Sequence, residues 1–219
     1  MKKRGNEEAL EFISKTQETD FYVDLDFPIA HKRACYFRTK QDLEFVMRWL
    51  HYQDELRIAL PNDEHQQDII LMGLWFASVA TYAKCFTDTS KGKNRGKLEK
   101  RDHLKGATEE MIKLHDHVLN VRHTYISHGV ENEFEHTISR LYITPTENPK
   151  EVDFRIGTVG VRNTNEAEQN HELFKSLVQV VISNVYKKLE ILGNKVREEI
   201  REKGPKHWIE LAVKNKESS

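Results

Sequence analysis

The sequence predicts a mainly α-helical protein of the α+β class, in which a bundle of about four helices carries a β-hairpin just before a long C-terminal helix. Two observations predict this fold. Apolar residues recur at steps of three and four along several segments, as in helices that bury one face. The step changes to two in "HTISRLYIT" and "VDFRIGTVGV", a pattern typical of paired strands.

The chain is expected to divide into an N-terminal arm at 1–38, a main domain at 39–204 and a C-terminal tail at 205–219. Within the arm, "DFYVDLDFPIA" alternates apolar and polar residues, which favours a short strand or an extended segment. The first helix is expected from Thr39, because Thr39 and Asp42 resemble a capping box and apolar residues then follow at helical spacing.

Two further helices are expected in the middle of the chain. The segment from about Asp63 to Phe86 is apolar on most faces, which indicates the central helix of the fold. The next helix is expected from Thr108, a suitable N-cap, to His128, with Gly129 as its stop. Its buried stripe is expected to consist of Met111, Leu114, Val118, Val121 and Tyr125.

The last elements are a hairpin, a long helix and a tail. The two alternating segments predict a β-hairpin at about 135–162, with a turn rich in proline and asparagine. A long helix then carries one apolar face from Phe174 to Ile200 and is expected to end near Gly204-Pro205. The apolar "HWIELAV" that follows is expected to dock on the rest of the protein.

Composition limits where the protein acts and what it binds. The 34 basic residues nearly balance the 35 acidic ones, which excludes a strong global attraction to nucleic acid or anionic lipid. The N-terminus lacks the apolar run of a signal peptide, and Ile69–Ala80 is shorter than the ~20 residues of a membrane-spanning helix. We therefore expect a cytoplasmic protein outside the membrane. Cys35 and Cys85 form no metal or redox motif, and a disulfide between them is an open alternative.

Positive charge is concentrated in "SKGKNRGKLEKRDHLKG". Its glycines favour a loop or frayed helix, so that its side chains can reach outward to a phosphate chain. A solvated connection between helices is the equally weighted alternative. The candidate substrate-binding residues in this segment are Lys91, Lys93, Arg95, Lys97, Lys100 and Arg101.

Four histidines lie in "HDHVLNVRHTYISHG", at positions 115, 117, 123 and 128. Metal ligands on one helix converge at spacings of three or four, as in H-E-x-x-H, and these intervals are two, six and five. A metal site is therefore not expected from this helix alone. The arginine of the stretch forms a different pattern, because Arg122 and His128 are separated by five residues. That spacing also occurs at Arg201 and His207, across Gly204-Pro205, so spacing alone has little weight.

The context of Arg122 resembles the HEPN superfamily, whose ribonuclease members carry an R-x4-6-H motif near the end of a helix. The resemblance covers about residues 71–129 and lies in "LHDHVLNVRHTYISHG" and, upstream, in "YAKCF" and "NRGKL". It implies a metal-independent endoribonuclease without a cofactor, in which Arg122 and His128 are catalytic. From its position next to Arg122, His123 is expected to be a second proton carrier or a surface residue. His115 lies seven residues before Arg122 and on nearly the same side of the helix, so it is expected to orient Arg122 or the RNA. The resemblance further implies a homodimer, a role as a toxin or phage-defence effector, and a neutralising protein partner.

The chemistry of these residue types fits RNA cleavage by the 2′-OH. That reaction needs proton transfer, which suits histidine, and positive charge on the phosphate, which the arginine fork supplies. Three alternatives stay open. The residues can be solvated surface with Arg122 paired to Asp116 or Glu110, the protein can be a non-catalytic nucleotide-, RNA- or protein-binding assembly module, or it can be a metal hydrolase that uses His115 or His117.

Overall fold

The computed structural model describes residues 22–59, 64–87, 97–126, 135–145, 152–162 and 169–217. Over these ranges the chain forms five α-helices, one π-helix and a two-stranded antiparallel sheet. The predicted fold class is confirmed, since the protein is mainly helical and its hairpin precedes a long C-terminal helix.

The first helix, α1 (Pro28–Ala59), begins earlier than the predicted start at Thr39. Proline suits the first helical position, because its fixed φ is helical and its missing N–H would have no intrahelical partner there. Thr39 does not cap a helix: its hydroxyl donates to the Cys35 carbonyl, 3.1 Å away inside α1. Of the predicted extended arm, the described part is 22–26, which has no regular structure.

The second helix, α2 (Glu64–Phe86), matches the predicted central helix. Among the described helices it contains the one stretch, Ile69–Phe86, that is long and apolar enough to cross a membrane by length and composition. Trp75, Val79 and Tyr82 on this helix are nonetheless buried against protein. Trp75 and Tyr82 both make edge contacts with Phe174, as expected of a core helix.

A short helix, α3 (Lys100–His103), precedes α4 (Glu109–Val121). The predicted cap of α4 is confirmed, because the Thr108 hydroxyl accepts a hydrogen bond of 3.3 Å from the Met111 N–H. The prediction of a regular helix up to His128 is wrong after Val121, where the chain changes to a π-helix, π1 (Arg122–Ile126). His128 and Gly129 lie outside the described residues.

The predicted hairpin is confirmed by two antiparallel strands, β1 (Glu135–Pro145) and β2 (Val152–Arg162). Leu141 lies opposite Ile156 in the register, so these two side chains share a face. Both are more than half exposed, at 53% and 78%. The segment between the strands lies outside the described residues.

The last helix, α5 (His171–Glu217), continues past the predicted end at Gly204-Pro205. The helix is kinked there, since Gly204 has φ 78° and ψ 157°, a backbone conformation that residues with a side chain rarely adopt. Beyond the kink, the Trp208 Nε1–H donates to the Ile200 carbonyl at 2.9 Å. The predicted apolar tail is therefore helical, and this bond fixes it to the preceding segment of α5.

The chain forms two compact units. The central unit, 41–88 with 97–184, has an aromatic and aliphatic core in which Tyr82 and Phe174 are fully buried. The terminal unit, of which the structure describes 22–40 and 185–217, has its own buried apolar side chains. They are Phe27, Tyr36, Val185, Leu192, Val196 and Ala212.

Candidate functional site

Arg122 lies at the junction of α4 and π1, and its side chain is half-buried. Its backbone N–H is directed at the carbonyls of Leu119 and Val118, which closes the α-helix. Of the two carboxylates that the sequence offered as structural partners, Asp116 binds Lys100 instead, at 2.6 Å. Among the described residues, no carboxylate lies within the 4.0 Å ion-pair distance of the Arg122 guanidinium.

The π-helical turn contains a hydrogen bond from a side chain to the backbone. The Thr124 hydroxyl donates to the Asn120 carbonyl at 2.8 Å, which is the carbonyl that the Thr124 N–H would use in an α-helix. This bond alone does not explain the turn, because the same bond from Thr39 to Cys35 leaves α1 regular. The π pattern (i→i+5) replaces the α-helical one from Arg122 to Ile126. Residues after Arg122 are consequently rotated relative to a regular helix. The angle expected between Arg122 and His128 from α-helical spacing no longer applies.

The predicted second proton carrier, His123, is exposed on π1 next to Arg122. The predicted proton-transfer residue His128 lies outside the described residues, so the structure places one of the two motif side chains. His117 is half-buried on α4, and the described residues do not bring it into a cluster of metal-ligating side chains.

His115, predicted to contact the RNA or orient Arg122, lies in the core of the central unit. Its side chain is 1% exposed, and its Nδ1 lies 2.9 Å from the Tyr82 hydroxyl. The ring packs edge-on against Phe86 with the centroids 4.6 Å apart. Direct contact with a substrate through His115 would require this core to open. The side chain instead joins α4 to α2, and so supports the helix that carries Arg122.

Burial keeps the His115–Tyr82 pair uncharged. Loss of solvent lowers the pKa of His115 to about 4, although nearby Asp116 partly opposes this shift. The same loss of solvent raises the pKa of Tyr82 well above its ordinary value. At neutral pH the imidazole is neutral and the hydroxyl protonated, so His115 does not serve as a proton donor at this position.

Part of the predicted basic segment lies next to α4, the helix that ends at Arg122. Lys91, Lys93 and Arg95 lie outside the described residues, whereas Lys97, Lys100 and Arg101 are exposed. The Lys100 ammonium binds both carboxylate oxygens of Asp116 on α4, at 2.6 and 2.7 Å. Asp116 is six residues before Arg122, or about 9 Å along the helix. The structure thus joins the basic segment to the Arg122 helix through a lysine whose charge is already paired.

Backbone contacts fix the described part of this segment. The Leu98 N–H donates to the Cys85 carbonyl at 2.9 Å, which holds the start of the segment to the end of α2. On α5, the Asn184 Nδ2 donates to the carbonyls of His103 and Lys105, at 3.0 and 2.9 Å. Gly106 follows with a positive φ of 90°, which lets the chain turn into α4. Residues 97–107 are therefore an ordered connection.

A charged cluster that the sequence did not predict links α1 and α5 within the central unit. Asp54 lies 2.6 Å from His171 Nε2 and 2.8 Å from the Lys175 ammonium, which also binds Glu172 at 2.9 Å. Only the i,i+3 pair of Glu172 and Lys175 leaves a signal in the sequence. Ligand atoms of Asp54, His171 and Glu172 lie within 4.8 Å of one another, but Lys175 provides the cation that the two carboxylates bind.

The protonation of this cluster follows from its contacts. Burial acts to raise the pKa of Asp54, but the hydrogen bond from Lys175 and the charge of His171 outweigh it and leave the pKa lowered. Burial lowers the pKa of His171, against the opposing effect of Asp54. The Lys175 pKa is raised, chiefly by its hydrogen bond to Asp54. The cluster is an ion-pair network of Asp54, Glu172 and Lys175 around a buried histidine whose pKa is lowered.

The described residues give an Arg122 without a carboxylate partner and an exposed histidine directly after it, and Lys100 of the basic segment binds the same helix at Asp116. Such a surface suits an anion, because guanidinium binds phosphate oxygens through two parallel hydrogen bonds. Comparison with known proteins found no family model, curated protein or solved structure that matches this chain.

Proposed function

We propose that this protein is a metal-independent endoribonuclease similar to HEPN ribonucleases. The observation that carries the proposal is the state of Arg122, which is half-buried at the start of a π-helical turn and has no carboxylate partner among the described residues. A partly desolvated arginine without a counter-ion favours an anionic ligand. π-helical turns also occur frequently at functional sites.

In the proposed reaction the ribose 2′-oxygen attacks the adjacent phosphorus, and the bond to the 5′-oxygen breaks. The products are a 2′,3′-cyclic phosphate and a 5′-hydroxyl end, so no water is consumed in this step. Arg122 binds the phosphate oxygens and stabilises the charge that develops on them. His128 donates a proton to the departing 5′-oxygen, and His123, as the second proton carrier, accepts the proton of the attacking 2′-OH.

The remaining residues are proposed to support RNA binding. Lys97 and Arg101 are exposed beside α4 and would contact the RNA backbone, as would Lys91, Lys93 and Arg95. Lys100 would have to give up Asp116 to do so, which makes it the weakest of these contacts. His115 is proposed to act as a positioning residue through the packing of α4 on Tyr82, in place of the predicted direct contact.

We also propose an oligomeric state and a cellular role for this activity. A helix that supplies one motif per chain fits a homodimer with two motifs facing one groove, as the resemblance to HEPN ribonucleases implies. A cytoplasmic ribonuclease would need restraint, which fits a toxin or phage-defence effector with a neutralising protein partner. These parts rest on the resemblance.

The test is incubation of the purified full chain with mixed RNA in EDTA. We expect the wild type to produce 2′,3′-cyclic phosphate ends, and we expect Arg122→Ala and His128→Ala each to lower the cleavage rate by a hundredfold or more (~10²–10³). Arg122→Lys keeps the charge but loses the fork, and should recover only a small part of the rate. Circular dichroism of each variant checks that it is folded.

The chain contains a matched control for this test. Arg201 and His207 have the same five-residue separation, but Gly204 and Pro205 interrupt the helix between them. Arg201→Ala and His207→Ala should cleave RNA at the wild-type rate. Equal loss of activity in the motif and control variants, or wild-type cleavage that EDTA abolishes, would refute the proposal.

A second candidate function is a non-catalytic binding or assembly module. The observation that favours it is the hairpin, where Leu141, Ile143 and Ile156 are each more than half exposed. Exposed apolar side chains on a strand pair are typical of a contact surface. A folded wild type that binds RNA or protein, but leaves RNA intact under every condition tested, would favour this second function.

A further inference from the structure

The terminal unit contains a groove of about 430 Å³ between the first part of α1 and a middle part of α5. We call it the basic groove and define it by Arg33, Phe37, Lys40, Tyr186, Gly193 and Arg197. Lys187 and Glu190 also line it, so that four cationic side chains share the groove with one carboxylate. None of these residues belongs to the Arg122 motif.

Two guanidinium groups converge on the floor of the groove at Gly193. Arg33 Nε and Arg197 Nη2 lie 3.6 and 3.8 Å from the point where a Cβ at residue 193 would be. Neither has a carboxylate within the 4.0 Å ion-pair distance in the described chain, and Arg197 donates instead to the Asn194 side-chain oxygen at 2.7 Å. Two guanidinium groups that lie this close to the same point repel each other, and an anion bound between them would remove the repulsion.

Aromatic rings lie beside these cations. Phe37 and Tyr186 are 44% and 46% exposed, so part of each ring is open to the solvent. The Lys40 ammonium lies 4.9 Å from the Phe37 ring centroid and 5.3 Å from that of Tyr186. The groove therefore combines a paired-arginine anion site with two partly exposed rings, on which a nucleobase can stack once the flexible Lys40 side chain moves aside.

We propose that the basic groove binds a nucleoside phosphate. The phosphate lies between Arg33 and Arg197 over Gly193, where a glycine leaves room for it, and the base stacks on Tyr186 or Phe37. This site goes beyond the proposed ribonuclease activity and does not depend on it. The same chemistry is presented by a free nucleotide and by the 5′-terminal nucleotide of a strand.

The test is isothermal titration calorimetry on the full chain with four probes. They are adenosine 5′-monophosphate, ribose 5-phosphate, adenosine, and a 5′-phosphorylated 2′-O-methyl oligoadenylate, which has no free 2′-OH for cleavage. We expect adenosine monophosphate to bind about tenfold more tightly than ribose 5-phosphate, because only the former can stack. Arg33→Gln and Arg197→Gln should each weaken its binding about tenfold, and Phe37→Ala/Tyr186→Ala should remove the advantage over ribose 5-phosphate.

Arg201→Gln is the matched control, because Arg201 is an exposed arginine on the same helix outside the groove. It should bind adenosine monophosphate as the wild type does. The proposal is overturned if adenosine monophosphate does not bind at millimolar concentration, if ribose 5-phosphate binds equally well, or if Arg201→Gln weakens binding as much as Arg33→Gln. Tighter binding of the oligoadenylate assigns the groove to strands, and equal binding assigns it to free nucleotides. Either result supports a nucleoside-phosphate site.

Discussion

A single residue, His115, illustrates how the fold sets the chemistry of a side chain. The apolar spacing of α4 correctly placed Leu114 and Val118 on the buried face, and His115 lies beside Leu114. Nothing in the local sequence predicts its partner, because Tyr82 is 33 residues away on α2. Its position in a stretch of sequence with four histidines favours a surface role for His115. The Tyr82 and Phe86 rings that pack against it make it part of the core instead.

The lowered pKa of His115 predicts acid-sensitive stability. The folded protein stays unprotonated at His115 down to pH of about 4, whereas the unfolded chain takes up this proton near pH 6.5. Stability should therefore fall as the pH falls from about 6.5 to 4, and this contribution should level off below that range. Between pH 7 and pH 5 the loss from His115 is about 2 kcal/mol.

His115→Gln removes the titrating group while retaining polar atoms that can face Tyr82. Urea unfolding at pH 7 and pH 5 should show that the variant is less stable at pH 7 but loses about 2 kcal/mol less than the wild type on acidification. The exposed His123→Gln should behave as the wild type does. If wild type and His115→Gln lose the same stability between the two pH values, His115 is not the acid-sensitive group.

At the scale of helices and strands, local signals predicted the elements that local interactions form. The Thr108 cap and the extent of α2 are examples, as is the hairpin with its two-residue period. Three predicted helix boundaries are wrong, and at each one the residue type is compatible with two different structures. Pro28 begins a helix, Thr124 bonds to a carbonyl within the helix, and the Gly204-Pro205 pair bends a helix that was expected to stop.

The kink in α5 depends on the backbone of Gly204. Its φ of 78° and ψ of 157° belong to a region that is nearly exclusive to glycine, although a Cβ added at this residue would have no atom within 4 Å. Gly204→Ala should therefore cost about 1–3 kcal/mol through the backbone alone. Hydrogen exchange should show faster exchange in 206–217, since the Trp208 bond to Ile200 would be strained.

Gly73→Ala is the matched control for this substitution. Gly73 lies inside α2, has no positive φ, and also has nothing within 4 Å of an added Cβ. There alanine should stabilise the helix by about 0.5–1 kcal/mol, with no change of exchange in 206–217. Unchanged exchange in Gly204→Ala would show that the kink does not need glycine.

At the scale of the whole molecule, the parts that sequence could not predict are those that join distant segments. The Arg122 motif and the basic segment were visible because each is continuous in the sequence. The Asp54–Lys175 pair spans 121 residues, and the basic groove joins Arg33 to Arg197. Each of these four residues, taken alone in the sequence, resembles an ordinary solvated charge. Only the folded structure shows which of them lie next to each other.

The Asp54 cluster couples the first and last described helices of the central unit, so we expect it to affect global unfolding. Asp54→Asn leaves the Lys175 ammonium and the buried His171 without their carboxylate, and should lower the free energy of unfolding at pH 7 by about 1–3 kcal/mol. Glu172→Gln is the control: Glu172 binds the same ammonium but is 78% exposed, so its loss should cost less than about 1 kcal/mol. Urea unfolding of both variants, of Lys175→Met and of Asp54→Asn/Lys175→Met tests this. A coupling energy near zero between Asp54 and Lys175 in the double-mutant cycle would mean that this ion pair does not stabilise the fold.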